Sequence, residues 1–206
     1  FEWPSRKCRF KKRKFNGVVH LAAIKAAGES MTDPKKYAYN NIVGGINLLN
    51  KCIESNVRSF IYSSSAAVYG QPKYIPIDEL HSLNPLNYYG YSKLSIEQNL
   101  KWYSNSYGIK YASLRYFNAA GYDPQKRIVG LENNPQNLIP LVMETALGRR
   151  PYLSIFGNRY ATKDGTGIRD FIHIIDVINV IEHFIFENKS RDNIIQDVGT
   201  GVGTKI

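Results

Sequence analysis

Ser63-Ser64-Ser65, Tyr89 and Lys93 are the residues whose types and spacing could do chemistry together. A hydroxyl donor, a phenol and an ammonium group brought to one point make an acid/base site suited to moving a proton on an alcohol. A tyrosine and a lysine four apart share one face of a helix. Beside an ammonium group the phenolate is favoured, so the spacing predicts a phenol pKa drawn from about 10 toward neutrality. Such a phenol can take a proton from an alcohol while hydride leaves the same carbon. The spacing alone is weak, because with 15 tyrosines in 206 residues about one Tyr-x-x-x-Lys match arises by chance. Two further matches exist, but Pro72 interrupts Tyr69/Lys73 and Pro124 interrupts Tyr122/Lys126. Only Tyr89 and Lys93 lie on a continuing helical stripe. A lysine on that apolar face is costly without a partner or a task. The bland alternative is a lysine that snorkels to solvent beside a core tyrosine.

The elements that must position these groups read as alternating strands and helices. An Asn16-Gly17 turn signal opens an apolar run to Ala23, long enough for a strand buried on both faces. Small residues follow (Ala22, Ala23, Ala26, Ala27, Gly28), which would let a loop approach a ligand or merely pack tightly. Pro34 suits a first helical turn, and Ile42, Ile46, Leu49 and Ile53 form an amphipathic stripe ending near Ser55-Asn56. A second strand is expected over Ser59–Ser63. A helix after Pro85 carries the stripe Tyr89, Lys93, Ile96, Leu100, Tyr103 and Tyr107, with Gly108 as C-cap. Ile109 to Tyr116 reads as a third strand. Residues 118–137 and 149–170 read as irregular, separated by a helix over Leu138–Leu147; a helix over Ile174–Asn188 and a strand over Ile194–Val198 follow.

Composition narrows the function classes. The net charge is +10, of which +6 sits in residues 1–16. A terminal basic block reads as a solvated tail, so nucleic-acid binding is disfavoured. No apolar run is long enough for a membrane span, and no secretory signal is visible. Cys8 and Cys52 have no metal-ligand spacing and are too few for a disulfide framework, so a cytoplasmic protein is expected. The glycosylation match Asn188-Lys189-Ser190 is then noise, and His173, lacking a second ligand at suitable spacing, reads as structural.

The chain resembles the extended short-chain dehydrogenase/reductase family, and within it the UDP-glucose 4-epimerases. The matching segments are VVHLAAIKAAGES (18–30), YNN (39–41), FIYSSSAAVYG (60–70), YYGYSK (88–93), LRYFNAAGYDP (114–124), NLIPLVMETALGRRP (137–151), IFGNRYATKDGTGIRDFIHIID (155–176) and VGTGVG (198–203). They run in the family's order, which is more specific than any one motif. The resemblance implies an α/β fold, a Rossmann-like parallel sheet lacking its first strands, with part of a smaller substrate-binding lobe. It implies NAD as cofactor and UDP-glucose/UDP-galactose as substrates, interconverted by inversion at C4 through a 4-keto intermediate. Tyr89 is implied as the base on the sugar 4-hydroxyl, Ser65 as hydrogen-bonding the same oxygen, and Lys93 as tuning the phenol and holding the nicotinamide ribose. Implied cofactor contacts are Leu21, Ala22, Ala23, Ile24, Lys25, Asn40, Ser65, Tyr89, Lys93 and Phe117. Implied substrate contacts are Ser65, Tyr89, Asn118, Asn137, Leu138, Ser154, Ile155, Phe156 and Arg169. Arginine is the natural clamp for a diphosphate. The related 4,6-dehydratases carry an Asp-Glu pair where this chain has Ala66 and Ala67, which disfavours dehydration.

The resemblance also implies domain limits: a basic tail over 1–16, a partial NAD-binding domain over 17–136, and a partial sugar-nucleotide lobe over 137–206. The family opens with a strand and a glycine-rich turn that receives the dinucleotide pyrophosphate. Residues 1–16 contain no glycine, and Gly199-Thr200-Gly201-Val202-Gly203 fits neither that fingerprint nor a P-loop. The chain is therefore expected to be truncated at both ends and to bind NAD weakly by itself. A non-catalytic framework without NAD is the alternative to an epimerase, as is a related enzyme acting on an N-acetylhexosamine or pentose. A homodimer is expected for the full-length form.

Overall fold

The structure, a computed structural model, describes residues 14–128, 135–155, 157–187 and 192–205. The basic block up to residue 13, Phe156 and the acceptor match at 188–190 lie outside the described residues. The described residues form two compact units, one within 14–116 and 179–198, the other within 117–178 and 199–205.

The first unit is built on four strands, β1 (Gly17–His20), β2 (Ser59–Ser65), β3 (Lys110–Tyr116) and β6 (Ile194–Val198). They lie in the order β1-β2-β3-β6, and every neighbouring pair is parallel. Parallel neighbours need long crossovers, and helices supply them. Between β1 and β2 run α1 (Ala27–Thr32), α2 (Pro34–Tyr37), a π-helical turn (Ala38–Val43) and α3 (Gly44–Glu54); between β2 and β3 runs α4 (Tyr88–Tyr107).

Local signals set the helix ends. Asp33 caps α2 by accepting the Lys36 amide at 3.1 Å, with Pro34 in the first turn. Asn87 caps α4 by accepting the Gly90 amide at 2.8 Å. Gly108 ends α4 in the left-handed region at φ 72°, its amide donating to the Ser104 carbonyl. The helix α1 replaces what reads in the sequence as a loop. Its glycine and serine have poor helical propensity, and tertiary contact compensates: Ser30 is fully buried and accepts the Tyr89 amide.

Packing also rotates the expected stripes. In the crossover from β1 to β2 the buried positions are Asn41, Gly45, Leu49 and Cys52, one residue off the apolar stripe at 42, 46 and 53. Gly45 sits there because the helices approach closely: a Cβ on it would lie 2.7 Å from Ile96 Cδ1. On α4 the burial reaches Ser104 but stops short of Tyr107, which is 62% exposed. Leu49, Cys52, Phe60, Tyr62, Ile96, Leu100, Ile109 and Tyr111 then form one core between α3, α4 and the sheet.

The second unit holds a three-stranded sheet in the order β4-β5-β7, where β4 is Asn118–Ala120, β5 is Ile168–His173 and β7 is Gly203–Lys205. β4 and β5 are parallel, β5 and β7 antiparallel. The stretches read as irregular thus begin and end in strand. Strands of three residues are too short to show a period of two. Asp170 ties down the glycine cluster, accepting from the Thr200 amide and hydroxyl and from the Gly201 amide. His173 fills the space that Gly121, at φ 102°, leaves open: a Cβ there would stand 2.3 Å from its Nε2. Helix α5 (Leu138–Ala146) carries Pro140 in its first turn, and α6 (Ile174–Glu182) follows β5 directly. No helix of the described residues is long and apolar enough to cross a membrane.

Candidate active site

β2 ends in the serine run, and the backbone turns at once into a single 3-10 turn, Ala66–Val68. The Ser65 hydroxyl accepts the Ala67 amide at 3.2 Å, which fixes the start of that turn. α4 then returns across it, and Gly90 makes the approach possible: a Cβ there would lie 2.4 Å from the Ala67 carbonyl oxygen. This brings Tyr89 within side-chain hydrogen-bonding reach of Ser65. One turn further, Lys93 is 3% exposed and donates to the Ser63 carbonyl oxygen at 2.6 Å. Its ammonium lies 5.1 Å from the Tyr62 ring centroid and 5.7 Å from that of Tyr89. The structure therefore brings Ser65, Tyr89 and Lys93 together at the carboxyl end of a parallel strand, where open α/β sheets bind ligands.

The electrostatics depart from the sequence expectation in one respect. Burial holds the Tyr89 phenol above its ordinary value, and the hydrogen bond with Ser65 only partly offsets this. The expected drop toward neutrality is absent because desolvation of a phenolate outweighs the lysine nearby. Burial also lowers Lys93, to about 8. His20, at the end of β1, is lowered to about 4, first by burial and then by the Lys93 charge.

Behind these groups stand residues that the sequence reading did not single out. Asn41 is buried and holds Ile24 by both backbone groups, its Oδ1 accepting the amide and its Nδ2 donating to the carbonyl, each at 2.9 Å. Its Nδ2 also donates to the Ser92 hydroxyl, which in turn donates to the Tyr89 carbonyl. One side chain thus locks the loop after β1 to the start of α4. Asn40, the neighbour singled out from the sequence, is exposed and donates from Nδ2 to the Lys36 carbonyl. A second network joins Ser64, Glu97, Arg115, Tyr69 and Asp197. The signal in the sequence was the charged pair itself, a glutamate on a buried helix face and an arginine inside a strand.

Leu21, Ala22, Ala23 and Lys25 are exposed along the pinned loop, with Ile24 half-buried. The remaining candidates belong to the second unit. Phe117 is half-buried, with Gly199 close against its ring. Asn118 opens β4 and donates from Nδ2 to the Asp170 carbonyl at 2.9 Å. Asn137 precedes α5 without capping it, Leu138 opens that helix, and Ser154 and Ile155 are exposed in an irregular stretch. Arg169 is exposed on β5 and donates from Nη1 to the Ile168 carbonyl. No group of three metal-ligating side chains occurs among the described residues.

Residues 5–199 match the model of the NAD dependent epimerase/dehydratase family. The chain is 45% identical over 171 residues to a UDP-glucose 4-epimerase of Halalkalibacterium halodurans, covering 82% of this chain and 51% of that protein. Among solved structures it is similar to UDP-glucose 4-epimerase from Brucella ovis in complex with NAD, with a TM-score of 0.89 and 39% identity over 95% of this chain and 61% of that one. It is also similar to the enzyme from Bifidobacterium longum in complex with NAD+ and UDP, with a TM-score of 0.87 and 34% identity over 95% of this chain and 59% of that one. The chain thus spans roughly half to three fifths of the length of these relatives. With a parallel sheet, a Ser-Tyr-Lys cluster at its carboxyl edge and a family match over nearly the whole length, the chain belongs to the NAD dependent epimerase/dehydratase family.

Proposed function

We propose that the protein inverts C4 of a UDP-hexose, interconverting UDP-glucose and UDP-galactose through a 4-keto intermediate, with NAD as hydride carrier. The observation that carries this reading is the convergence of Ser65, Tyr89 and Lys93 at the end of β2.

The site fits NAD in its donor set and in its surface. The loop Leu21–Lys25 offers the small exposed side chains of Ala22 and Ala23 on a backbone that Asn41 holds at Ile24, which lets a flat ring lie close. The Lys93 ammonium is hydrogen-bonded to a neutral carbonyl, not to a carboxylate, and suits a ribose hydroxyl. We assign cofactor contacts to Leu21, Ala22, Ala23, Ile24, Lys25, Asn40, Ser65, Tyr89, Lys93 and Phe117. Bound there, NAD supplies a reversible acceptor for the C4 hydride.

Each residue then has a separate task. Tyr89, as its phenolate, takes the proton of the 4-hydroxyl as C4 is oxidised, and returns it when the ketone is reduced from the other face. Ser65 holds the same oxygen by a hydrogen bond. To act as the base Tyr89 must first give its own proton to solvent, and Lys93 stabilises the resulting phenolate against the burial that raises the phenol. Asn118, Asn137, Leu138, Ser154, Ile155, Phe156 and Arg169 hold the nucleotide-sugar, with the planar Arg169 fork on the diphosphate. The pair Ala66-Ala67 offers no acid or base for a second proton transfer, so the reaction ends at epimerisation. We further propose a cytoplasmic homodimer. Trp102, 71% exposed on α4 beside Gln98, Lys101 and Asn105, supports an interface there.

The test places these residues in the Halalkalibacterium relative in exchange for its matching segment, and follows UDP-galactose to UDP-glucose. Turnover that Tyr89→Phe abolishes supports the reading. A folded exchange enzyme that neither retains NAD nor turns over would support the non-catalytic alternative. Turnover confined to an N-acetylated or pentose substrate would redirect the specificity.

A further inference from the structure

The serine run is gripped one residue at a time by successive turns of α4. Ser65 meets Tyr89, the Ser63 carbonyl accepts from Lys93, and Ser64 donates from its hydroxyl to Glu97 Oε1 at 2.5 Å. The third of these contacts belongs to no step of the reaction.

Glu97 lies one turn beyond Lys93 on the same buried face, and the two are 4% and 3% exposed. A lysine and a glutamate at that spacing ordinarily pair, and burial strengthens the attraction. Here they do not. Arg115, reaching from β3, takes both carboxylate oxygens, Nε on Oε1 at 3.0 Å and Nη2 on Oε2 at 2.7 Å. Its Nη1 donates to the Tyr69 hydroxyl, which donates to Asp197 Oδ1 on β6. The guanidinium is 1% exposed and anchored from two further elements, so it cannot swing away without unmaking the network. Lys93 is left with a backbone carbonyl and two aromatic rings, and burial lowers its pKa with no carboxylate raising it.

We infer that Glu97 and Arg115 are a positioning pair for the proposed reaction: Glu97 anchors the serine run to α4, and Arg115 keeps that carboxylate from becoming the counter-ion of Lys93. The benefit is electrostatic as well as geometric. A lysine paired to Glu97 would be drawn down the helix, away from Tyr89, and its charge would be spent on the carboxylate rather than on the phenolate form of the base. A buried fork-to-fork Arg–Glu pair costs desolvation and is weak evidence for stability, so its retention here asks for another reason. The groups facing Lys93 are His20 on β1, Tyr62 on β2, and Tyr89 and Glu97 on α4, with Arg115 on β3 beyond Glu97.

The inference rests on the proposed reading of Lys93, yet its test does not use turnover. In the 206-residue chain with 13C-labelled lysine, the Lys93 signal is assigned by its loss in Lys93→Arg and followed against pH. Lys93 should titrate near 8. Arg115→Met should free Glu97 to pair with Lys93 and weaken the lysine as an acid about tenfold or more. Glu97→Gln/Arg115→Met, which buries no unpaired charge, should return Lys93 to the parent's midpoint. A folded Arg115→Met with an unmoved Lys93 would overturn the inference. If Arg115→Met does not fold, the double variant decides alone: a Lys93 midpoint well below the parent's would mean that Glu97 already served as its counter-ion and would overturn the inference. A chain without epimerase activity would defeat the proposed function and leave this titration to be judged by itself.

Discussion

Gly90→Ala puts a methyl group at the point where α4 crosses the turn after Ser65. The added Cβ would stand 2.4 Å from the Ala67 carbonyl oxygen, with Pro85 Cβ at 3.0 Å on its other side. Nonbonded carbon and oxygen need about 3.2 Å, so helix and turn must part by roughly 0.8 Å. Tyr89 is the neighbouring residue on one side of that gap. Ser65, whose hydroxyl accepts the Ala67 amide, stands on the other. The displacement therefore falls between the base and its hydrogen-bond partner. A misplacement near 1 Å costs about 100-fold in rate, so kcat should fall roughly 30- to 100-fold. Stability should change far less, because alanine gains about 1 kcal/mol over glycine in a helix and overpacking costs about 1–3 kcal/mol. The net loss is then about 0–2 kcal/mol, read from urea unfolding. The kinetic assay couples UDP-glucose formation to NADH production in the exchange enzyme described above. A Gly90→Ala enzyme with the parent's kcat would refute the claim that this close approach sets the catalytic geometry.

Three further outcomes follow from the same geometry. Asn41→Ala removes the partner of both Ile24 backbone groups and should cost about 2–3 kcal/mol in urea unfolding; it should also weaken NAD binding in the exchange enzyme, and unchanged NAD affinity would remove Asn41 from the cofactor loop. His20 titrates at about 4 in the folded chain against about 6.5 unfolded, so the unfolded state takes up its proton first and stability is lost as pH falls from about 6.5 toward 4; discounted for partial exposure, His20→Phe should lessen that loss by about 1–2 kcal/mol, and equal acid sensitivity in parent and variant would contradict the assignment. Trp102→Arg should shift a dimer toward monomer in sedimentation equilibrium while leaving the fold intact, and an unchanged dimer would exclude that face of α4.

The parts of the site legible in the sequence are those with local signatures. The strand opening at Ser59, the helix carrying Tyr89 and Lys93, and the cap at Gly108 depend on neighbours within a few residues, and the structure contains them, with the strand running on from Ser63 to Ser65. Contacts between distant residues were not legible. Asn41 and Ser92 are 51 residues apart, and Ser64 and Glu97 are 33 apart. No periodicity distinguishes Asn41 from Asn40; the one-residue rotation of that helix comes from the close approach at Gly45. Charge was visible in Glu97 and Arg115, but not that Glu97 would take Arg115 in preference to Lys93. The Tyr89 phenol was misjudged for a related reason: the lysine beside it could be read from spacing, whereas the depth of burial could not. In the second unit, β4 and β7 depend on pairing with β5 rather than on any pattern of their own.

The central claim is that Tyr89 moves the proton while C4 is oxidised and reduced. Its most direct test compares the exchange enzyme and its Tyr89→Phe variant, both holding NAD, under saturating UDP-galactose. Loss of the one hydroxyl should reduce kcat by at least about 1,000-fold and leave UDP-sugar affinity within about twofold. Turnover by the phenylalanine variant at the parent's rate would contradict the account.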